Sequence, residues 1–234
     1  MFIVQHHEKV GSTNDVARRL AEEGAPHGTV VHADEQTAGR GRLMRTWFSP
    51  PGNLYVSIIL RLDAPASRLT ELSFLTALAV ADTVDTLLPK QTRATLKWPN
   101  DVLVDGGKIA GILLEQMVGA TIVGVGLNVL FAPHNAAYKT TTLAASGGIA
   151  SVDTARDLLL ARLGGHLGVW QTDGFEPIRT MWMARAHPIG TPLRAATGNQ
   201  IAEGAFAGLD HDGALLLTTE DGLKRVTAGD VGPR

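Results

Sequence analysis

The stretch QTAGRGRLMRTW, residues 36–47, carries three arginines, two glycines and no acidic residue where a loop is expected. Glycine lets a backbone approach a ligand closely, and guanidinium groups match the planar geometry of carboxylate and phosphate. Arg40, Arg42 and Arg45 therefore predict an anion-binding loop, with a solvated basic loop as the alternative. The stretch lacks the Gly-Lys-Ser/Thr ending of a P-loop and the G-x-G-x-x-G pattern of a dinucleotide site.

The second lysine of LKWPNDVLVDGGKIAGILLE, residues 96–115, is a second candidate for chemistry. Strand alternation predicts that Lys108 shares a face with Ala110 and Ile112 and points its ammonium along an apolar wall. A lysine in that position needs an anionic partner, either a protein carboxylate or a ligand. The alternative is a lysine that extends to solvent at the end of its strand.

Two further motifs offer polar groups or space to a ligand. In VGVGLNV, residues 123–129, Gly124, Gly126 and Asn128 alternate on one face of a strand and leave room for something flat or bulky, or for a closely packed helix. In STND, residues 12–15, a helix start offers free N–H groups and hydroxyls to a small polar ligand. An ordinary helix N-cap explains STND equally well.

The composition limits the class of protein. The chain has 234 residues, 44% hydrophobic and 19% charged, with a formal net charge of -2, which argues against a protein that coats nucleic acid. It has no cysteine, so disulfides and thiolate chemistry are excluded. No apolar run reaches the length of a membrane span and the start lacks a signal peptide, so we predict a cytoplasmic protein. The histidines show no ligand spacing, and we predict that they are exposed at the surface or incidental and that there is no structural metal.

The elements that must position these residues are predicted from periodicity and turn residues. We expect strands at 2–5, 29–35, 54–62, 94–98, 101–104, 108–116 and 121–130, and helices after Ser12, over 67–88, 152–170 and 174–185. Residues 54–62 alternate as a strand with one buried face, and 67–88 read as a long amphipathic helix. The pattern indicates an α+β domain over 1–186 with a mixed or antiparallel sheet, followed by a small β-barrel over 187–234 that packs on it.

Taken in order, these motifs resemble the biotin–protein ligase family, specifically its biotin–[acetyl-CoA carboxylase] ligases. The segments that carry the resemblance are STND, DEQTAGRGR, RTWFSPPGNLYVSIIL, LKWPNDVLVDGGKIAGILLE, GVGLNV and GLDHDGALLL. They extend from Ser12 to about Val231. The resemblance implies a class II synthetase-like catalytic domain and an SH3-like C-terminal barrel. In one departure, many relatives read GRGRRGR where this chain has Leu43-Met44 in place of Arg-Gly.

The resemblance also implies a reaction and a site. The reaction is ATP-dependent formation of biotinyl-5′-AMP, followed by transfer of biotin to a lysine of a biotin carboxyl carrier protein, with Mg²⁺ accompanying ATP through ligands that the sequence does not identify. Lys108, Arg42 and Arg40 would be catalytic. Biotin would be bound by Ser12, Thr13, Asn14, Gln36, Arg40, Gly41, Arg42 and Lys108, and the adenylate by Arg42, Arg45, Trp47, Asn100 and Asn128.

Several alternatives stay open at this point. A lipoate–protein ligase shares the acyl-adenylate strategy, although KWPND and GRGR favour biotin; a non-catalytic biotin- or nucleotide-binding protein is the other alternative. Because the matching pattern begins within the first dozen residues, we expect no DNA-binding domain. An exposed strand edge could pair with a second copy of the chain or with the carrier. The mechanism requires the arginine loop and Lys108 to meet in one pocket.

Overall fold

The computed structural model describes residues 1–133, 136, 138–198 and 200–233. The strands of the first part are β1 (Ile3–Val10), β2 (Thr29–Gln36), β3 (Leu54–Leu60), β4 (Ala94–Lys97), β5 (Asp101–Val104), β6 (Gly107–Met117) and β7 (Ala120–Leu127). The helices are α1 (Thr13–Glu22), α2 (Leu72–Leu87), α3 (Val152–Asp173) and α4 (Phe175–Met183). Two 3₁₀ helices, Arg42–Met44 and Ala66–Glu71, lie in the connections.

These seven strands form one sheet in the order β1-β2-β3-β7-β6-β5-β4. The β1–β2 pair is parallel, and the other pairs are antiparallel. Helix α1 contacts β2, β3 and β7, while α2 contacts β4, β5 and β6 and is itself covered by α3 and α4. This confirms the predicted α+β fold with a mixed sheet packed against helices.

Two elements are more buried than the sequence predicted. All seven residues of β3 are buried, because the strand lies in the interior of a sheet that is covered on both faces. Helix α2 is also buried around most of its circumference, since the sheet lies on one side and α3 and α4 on the other. The sequence predicted that 54–62 would bury one face and that the helix over 67–88 would expose a polar face. Both predictions of exposure were wrong.

The C-terminal part is a five-stranded antiparallel sheet in the order β11-β10-β9-β8-β12. Its strands are β8 (Pro192–Thr197), β9 (Gln200–Leu209), β10 (Leu215–Thr219), β11 (Gly222–Val226) and β12 (Asp230–Pro233). In the described ranges β11 and β12 each pair with one neighbour, so the predicted closed barrel is wrong. The sheet instead buries Phe206, Leu215 and Leu217 in the same core as α2 and α4, which removes the need to close on itself.

The contacts between the two parts are specific. The Trp98 indole N–H donates to the Gly213 carbonyl at 3.0 Å, and Arg179 Nη1 donates to the Leu209 carbonyl at 2.9 Å. A side chain at Gly213 would overlap the Phe74 ring, so the turn before β10 sits directly on α2. Among the residues described, no helix is long and apolar enough to span a membrane.

Candidate active site

A cavity of about 330 Å³ lies on the α1 side of the large sheet. Its walls are the start of α1, the loop over 40–47, the strands β6 and β7, and β12 of the C-terminal sheet. The predicted site residues that line it are Ser12, Thr13, Asn14, Gln36, Arg40, Gly41, Arg42, Arg45, Trp47, Asn100 and Lys108. The arginine loop and Lys108 thus meet in one cavity, as the mechanism required.

The start of α1 does more than cap a helix. Ser12 occupies the N-cap position, yet its side chain makes no capping hydrogen bond and is buried against the cavity. The Thr13 backbone N–H and hydroxyl both donate to Gln36 Oε1, at 2.9 and 3.1 Å, and Gln36 Nε2 donates to Ser49 Oγ at 3.0 Å. These bonds fix the Gln36 side chain. The Ser12 hydroxyl, which caps no backbone N–H, is available to bind a ligand.

The glycines of β6 and β7 make room for side chains of the protein itself. A Cβ at Gly126 would overlap the Trp47 indole, a Cβ at Gly111 would lie 3.0 Å from it, and a Cβ at Gly124 would overlap the Asn14 amide. The flat group that the pattern predicted is therefore Trp47. Its indole Nε1 is buried and has no hydrogen-bond partner among the described residues, which leaves an unused donor beside the cavity.

Lys108 faces the cavity, not the core. The pairing of β5 with β6 shifts by one residue, because Val102 pairs with Ala110 whereas Leu103 pairs with Lys108. This β-bulge inserts an extra residue, so Lys108 lies on the same side as Gly111, and the predicted shared face with Ala110 and Ile112 was wrong. The prediction of alternation failed because it assumed a regular strand.

The ammonium of Lys108 has the anionic partner that its position demands. Its Nζ lies 2.6 Å from Asp101 Oδ1, and both side chains are about 15% exposed, at 14% and 15%. The rings of Trp47 and Tyr138 lie near it, with centroids 5.3 and 5.5 Å from Nζ. Lys97 approaches Asp101 from the other side at 3.6 Å. Two lysines therefore share one carboxylate and leave the cavity with excess positive charge.

The three loop arginines are held in different ways. Arg40 donates to both oxygens of Asp15 at 2.6 Å, and these hydrogen bonds raise the pKa of Arg40 and lower that of Asp15. Arg45 pairs with Asp230 at the rim. Arg42 donates to the Asn100 side-chain oxygen at 3.3 Å and to the Gly229 carbonyl at 3.1 Å, with Asp230 only at 4.0 Å.

Burial therefore matters most for Arg42. Desolvation lowers the pKa of its guanidinium, and the Asp230 and Asp101 charges oppose that effect. An arginine keeps its proton even so. Of the three loop cations, Arg42 is the one whose hydrogen-bond partners in the described residues are neutral oxygens, which makes it the best placed to receive a ligand's negative charge.

Asn128 is the one predicted site residue that does not line the cavity. It is buried, and its Nδ2 donates to the Thr141 carbonyl at 3.1 Å and lies 3.5 Å from the Lys108 carbonyl. It thereby fastens the segment after β7 to the start of β6. Its contact with an adenylate stays a prediction.

Sequence reasoning missed several residues of the site. Asp101 follows Asn100 directly in the KWPND motif, and the need of Lys108 for an anion could have identified it. Asp230 comes from the far end of the chain, and no local pattern connects it with the arginine loop. The histidine prediction also needs correction, because His32 is 2% exposed and its Nδ1 lies 3.3 Å from Arg156 Nη1.

A magnesium ion that accompanies a nucleotide would be held partly by the nucleotide and partly by the carboxylates of this cavity. Asp101 and Asp230 present the hard oxygen ligands that Mg²⁺ prefers, but each already faces a cation. Elsewhere, Asp210, His211 and Asp212 lie together at a turn of the C-terminal sheet, where Arg225 pairs with both carboxylates.

Comparison with known proteins places the chain in a family. Residues 8–131 match the Biotin/lipoate A/B protein ligase family, and residues 189–231 match the Biotin protein ligase C terminal domain. The first match covers more than half of the 234 residues, so the chain belongs to the Biotin/lipoate A/B protein ligase family, and the second match places it among the biotin protein ligases.

Individual relatives agree with this assignment. The chain is 37% identical to a biotin–[acetyl-CoA-carboxylase] ligase of Paracoccus denitrificans, over 95% of this chain and 97% of that protein. It is also 37% identical to a bifunctional ligase/repressor BirA of Bacillus subtilis, over 97% of this chain and 72% of that protein. A biotin protein ligase from Aquifex aeolicus, solved in complex with biotin and ATP, matches with a TM-score of 0.87 and 28% identity, over 99% of both chains.

Proposed function

We propose that this chain is an ATP-dependent biotin–protein ligase, which forms biotinyl-5′-AMP and transfers biotin to a lysine of a biotin carboxyl carrier protein. The observation that carries the proposal is the convergence of Arg42 and Lys108 on one cavity. The similarity to proteins named biotin–[acetyl-CoA-carboxylase] ligase supports it along nearly the whole chain.

The first half-reaction brings two anions together, a carboxylate and the α-phosphate of ATP. Its barrier falls when fixed cations face the charge as it develops and water is excluded. Arg42 and Lys108 are both mostly withdrawn from solvent, with side chains 25% and 14% exposed. Because strand β6 holds Lys108 before a ligand arrives, little reorganisation of its ammonium is needed when the charge develops.

Each residue then has a task that its position supports. Lys108 holds the reacting carboxylate oxygen and stabilises the oxyanion during transfer, while Arg42 lies against the phosphate. Ser12, Thr13, Asn14 and Gln36 supply donors and acceptors for the ureido ring of biotin, with Arg40 and Gly41 in the loop above. Arg45, Trp47, Asn100 and Asn128 are assigned to the adenylate. Magnesium bound with ATP supplies charge neutralisation on the polyphosphate.

The direct test is incubation of the purified protein with biotin and ATP, followed by mass spectrometry for biotinyl-AMP and an assay of pyrophosphate release. Biotinyl-AMP with stoichiometric pyrophosphate is expected. A parallel incubation with lipoic acid tests the lipoate–protein ligase alternative, and lipoyl-AMP in preference to biotinyl-AMP would contradict the proposal. Bound biotin or ATP without any adenylate would indicate the non-catalytic alternative.

Five finer points belong to the same proposal. The acceptor is a carboxylase carrier protein, the compartment is the cytoplasm, and the catalytic part covers 1–186 with the C-terminal part over 187–234. A net charge of -2 supports a function without DNA binding. A homodimer is testable by light scattering, where a molecular mass twice that of the chain is the positive result.

A further inference from the structure

Glu115 lies behind the cavity, at the point where β6 passes under the start of α1. Its Oε2 lies 2.8 Å from Asn14 Nδ2, and its Oε1 lies 3.1 Å from Arg18 Nη2 and 3.7 Å from Arg40 Nη2. It does not belong to the cavity lining, whereas Asn14 does. Glu115 therefore does not contact the cavity directly, and it reaches the cavity through its neighbours Asn14 and Arg40.

The amide of Asn14 is held from both ends. Its Nδ2 faces Glu115, and its Oδ1 lies 2.6 Å from Ser57 Oγ. Asn14 is 4% exposed, and the absence of a side chain at Gly124 leaves only enough space for the amide. The side chain is thus confined, and the question is which end of the amide points where.

Glu115 answers that question, because a carboxylate accepts hydrogen bonds and cannot donate them. The Ser57 hydroxyl has one hydrogen, and its Oγ also lies 2.7 Å from Thr13 Oγ1. It can donate to the Asn14 amide oxygen, or donate to Thr13 and accept from the amide nitrogen, so Ser57 tolerates both orientations. Glu115 tolerates only the orientation in which the NH₂ group faces it. The charge on Glu115 therefore determines the direction of the Asn14 amide.

The consequence concerns what the cavity offers to a ligand. Nδ2 carries two hydrogens; Glu115 accepts one, and no described residue accepts the other. We propose that Glu115 is a positioning residue that makes Asn14 a hydrogen-bond donor toward the cavity, where the acceptor is the carbonyl oxygen of a cyclic urea. This inference rests on the proposed function and specifies how that site selects biotin.

The first test compares Glu115→Ala and Glu115→Gln with the wild type in steady-state kinetics and in calorimetric titration with biotin. We expect Glu115→Ala to raise the biotin KM and Kd about tenfold, with kcat, the ATP KM and the melting temperature little changed. Glu115→Gln should fall between, because a carboxamide can either accept from Asn14 or donate to it. That nearly isosteric variant keeps the test valid should the alanine variant fail to fold.

Two controls separate this role from simple ion pairing. Arg18→Ala removes the partner of the other carboxylate oxygen and should leave the biotin KM unchanged. Glu23→Gln removes an exposed glutamate that pairs with Arg19 on α1, and it should also have no effect. A rise in the biotin KM for Arg18→Ala equal to that for Glu115→Ala would overturn the proposal.

The decisive variant exchanges the two groups, Asn14→Asp together with Glu115→Gln. It keeps one hydrogen bond and one negative charge at this place, but it reverses the bond and turns an oxygen toward the cavity. We expect wild-type melting behaviour with biotin binding at least as weak as in Glu115→Ala. Restored biotin binding would show that the Asn14–Glu115 hydrogen bond only stabilises the fold and does not orient the amide for biotin.

The outcomes also distinguish this inference from the proposed function. Wild-type protein that neither binds biotin nor forms biotinyl-AMP overturns both. Wild-type protein that forms biotinyl-AMP, with a biotin KM that stays the same in both Glu115 variants, overturns the role of Glu115 alone.

Discussion

The two faces of the seven-stranded sheet use alternate residues of the same strands for opposite purposes. Toward α2 and α3, β7 places Val123, Val125 and Leu127 in a continuous apolar core. Toward α1, the same strand places Gly124 and Gly126 beneath the Asn14 amide and the Trp47 indole. One face is filled by the strand's own side chains, and on the other face the two glycines leave room for side chains from elsewhere in the chain.

The difference shows how a rigid site arises without a dedicated scaffold. The apolar face supplies the burial that stabilises the sheet. The glycine-bearing face belongs to the same strands, so the core holds its backbone in place as well. A small apolar cluster of Ala17, Ala21, Val31, Ile59, Ala120 and Ile122 holds α1 in place on the cavity face. Changes on the two faces should therefore separate chemistry from stability.

The largest expected effect is on the cavity face. Lys108→Ala removes a cation from the reacting position and should lower kcat for biotin-dependent pyrophosphate release by about 10²–10³-fold. The fold should be little affected, because the Asp101 carboxylate still has a cationic partner in Lys97, whose Nζ lies 3.6 Å away. Lys9→Ala, which breaks an exposed pair with Glu35, is the control. Wild-type activity in Lys108→Ala would refute the assignment of this residue.

The opposite result is expected on the core face. Leu75→Ala in α2 removes a fully buried side chain and should lower the free energy of unfolding by about 2–5 kcal/mol. The biotin KM of the folded fraction should not change, since Leu75 does not line the cavity. Chemical denaturation and kinetics at low temperature would measure both quantities. An altered biotin KM without loss of stability would break the proposed separation of the faces.

Gly126→Ala places a core-like side chain on the cavity face. Its Cβ would overlap the Trp47 indole, so we expect a loss of about 1–3 kcal/mol in stability together with a shifted ring and a raised ATP KM. Gly165→Ala in α3 meets nothing within 4 Å and is the matched control, with a gain of about 0.5–1 kcal/mol from helix propensity. Equal behaviour of the two variants would show that Trp47 does not depend on the missing side chain.

His32 introduces a titratable group on the core face. Burial, and then the charge of Arg156, lowers its pKa below the ordinary value of 6.5. The nearby charges include Asp153 and Asp34, which act in the opposite direction, and the His6 ring, which adds to the lowering. The folded state therefore disfavours protonation of His32.

The sign of the pH effect follows from linkage. The stability that neutral His32 contributes is fully present above pH 6.5 and is lost as the pH falls through the lowered pKa. Denaturation midpoints of the wild type and of His32→Asn, measured at pH 7.5 and 5, would show this as a smaller decrease in the variant. An identical decrease would exclude His32, since His187, whose pKa burial also lowers, is common to both proteins.

The sequence predicted most elements, because periodicity and turn residues are local properties. Of the predicted site residues, whose roles came from the family resemblance, all but Asn128 line the cavity. The prediction failed where the outcome depends on pairing between strands. The bulge opposite Leu103 turned Lys108 to the other face, and no residue between 101 and 111 signals that shift. Asp230 reached the arginine loop only because the C-terminal sheet packs against the first part, which is a tertiary effect.

The smallest expected effect concerns residues 37–47, the loop over the cavity, which we expect to act as a lid that orders when biotin and ATP bind. The Arg45 and Asp230 side chains are 52% and 45% exposed, so their ion pair should contribute only about 0.2–1 kcal/mol. Asp230→Asn should therefore leave melting almost unchanged and yet speed limited proteolysis within 37–47, where biotin plus ATP should protect both proteins. Added salt should bring the wild-type cleavage rate toward that of the variant, because it screens exposed charges. If the cleavage rate does not change with ligand, salt or substitution, the loop is not a lid, and the cavity face is as rigid as the core face.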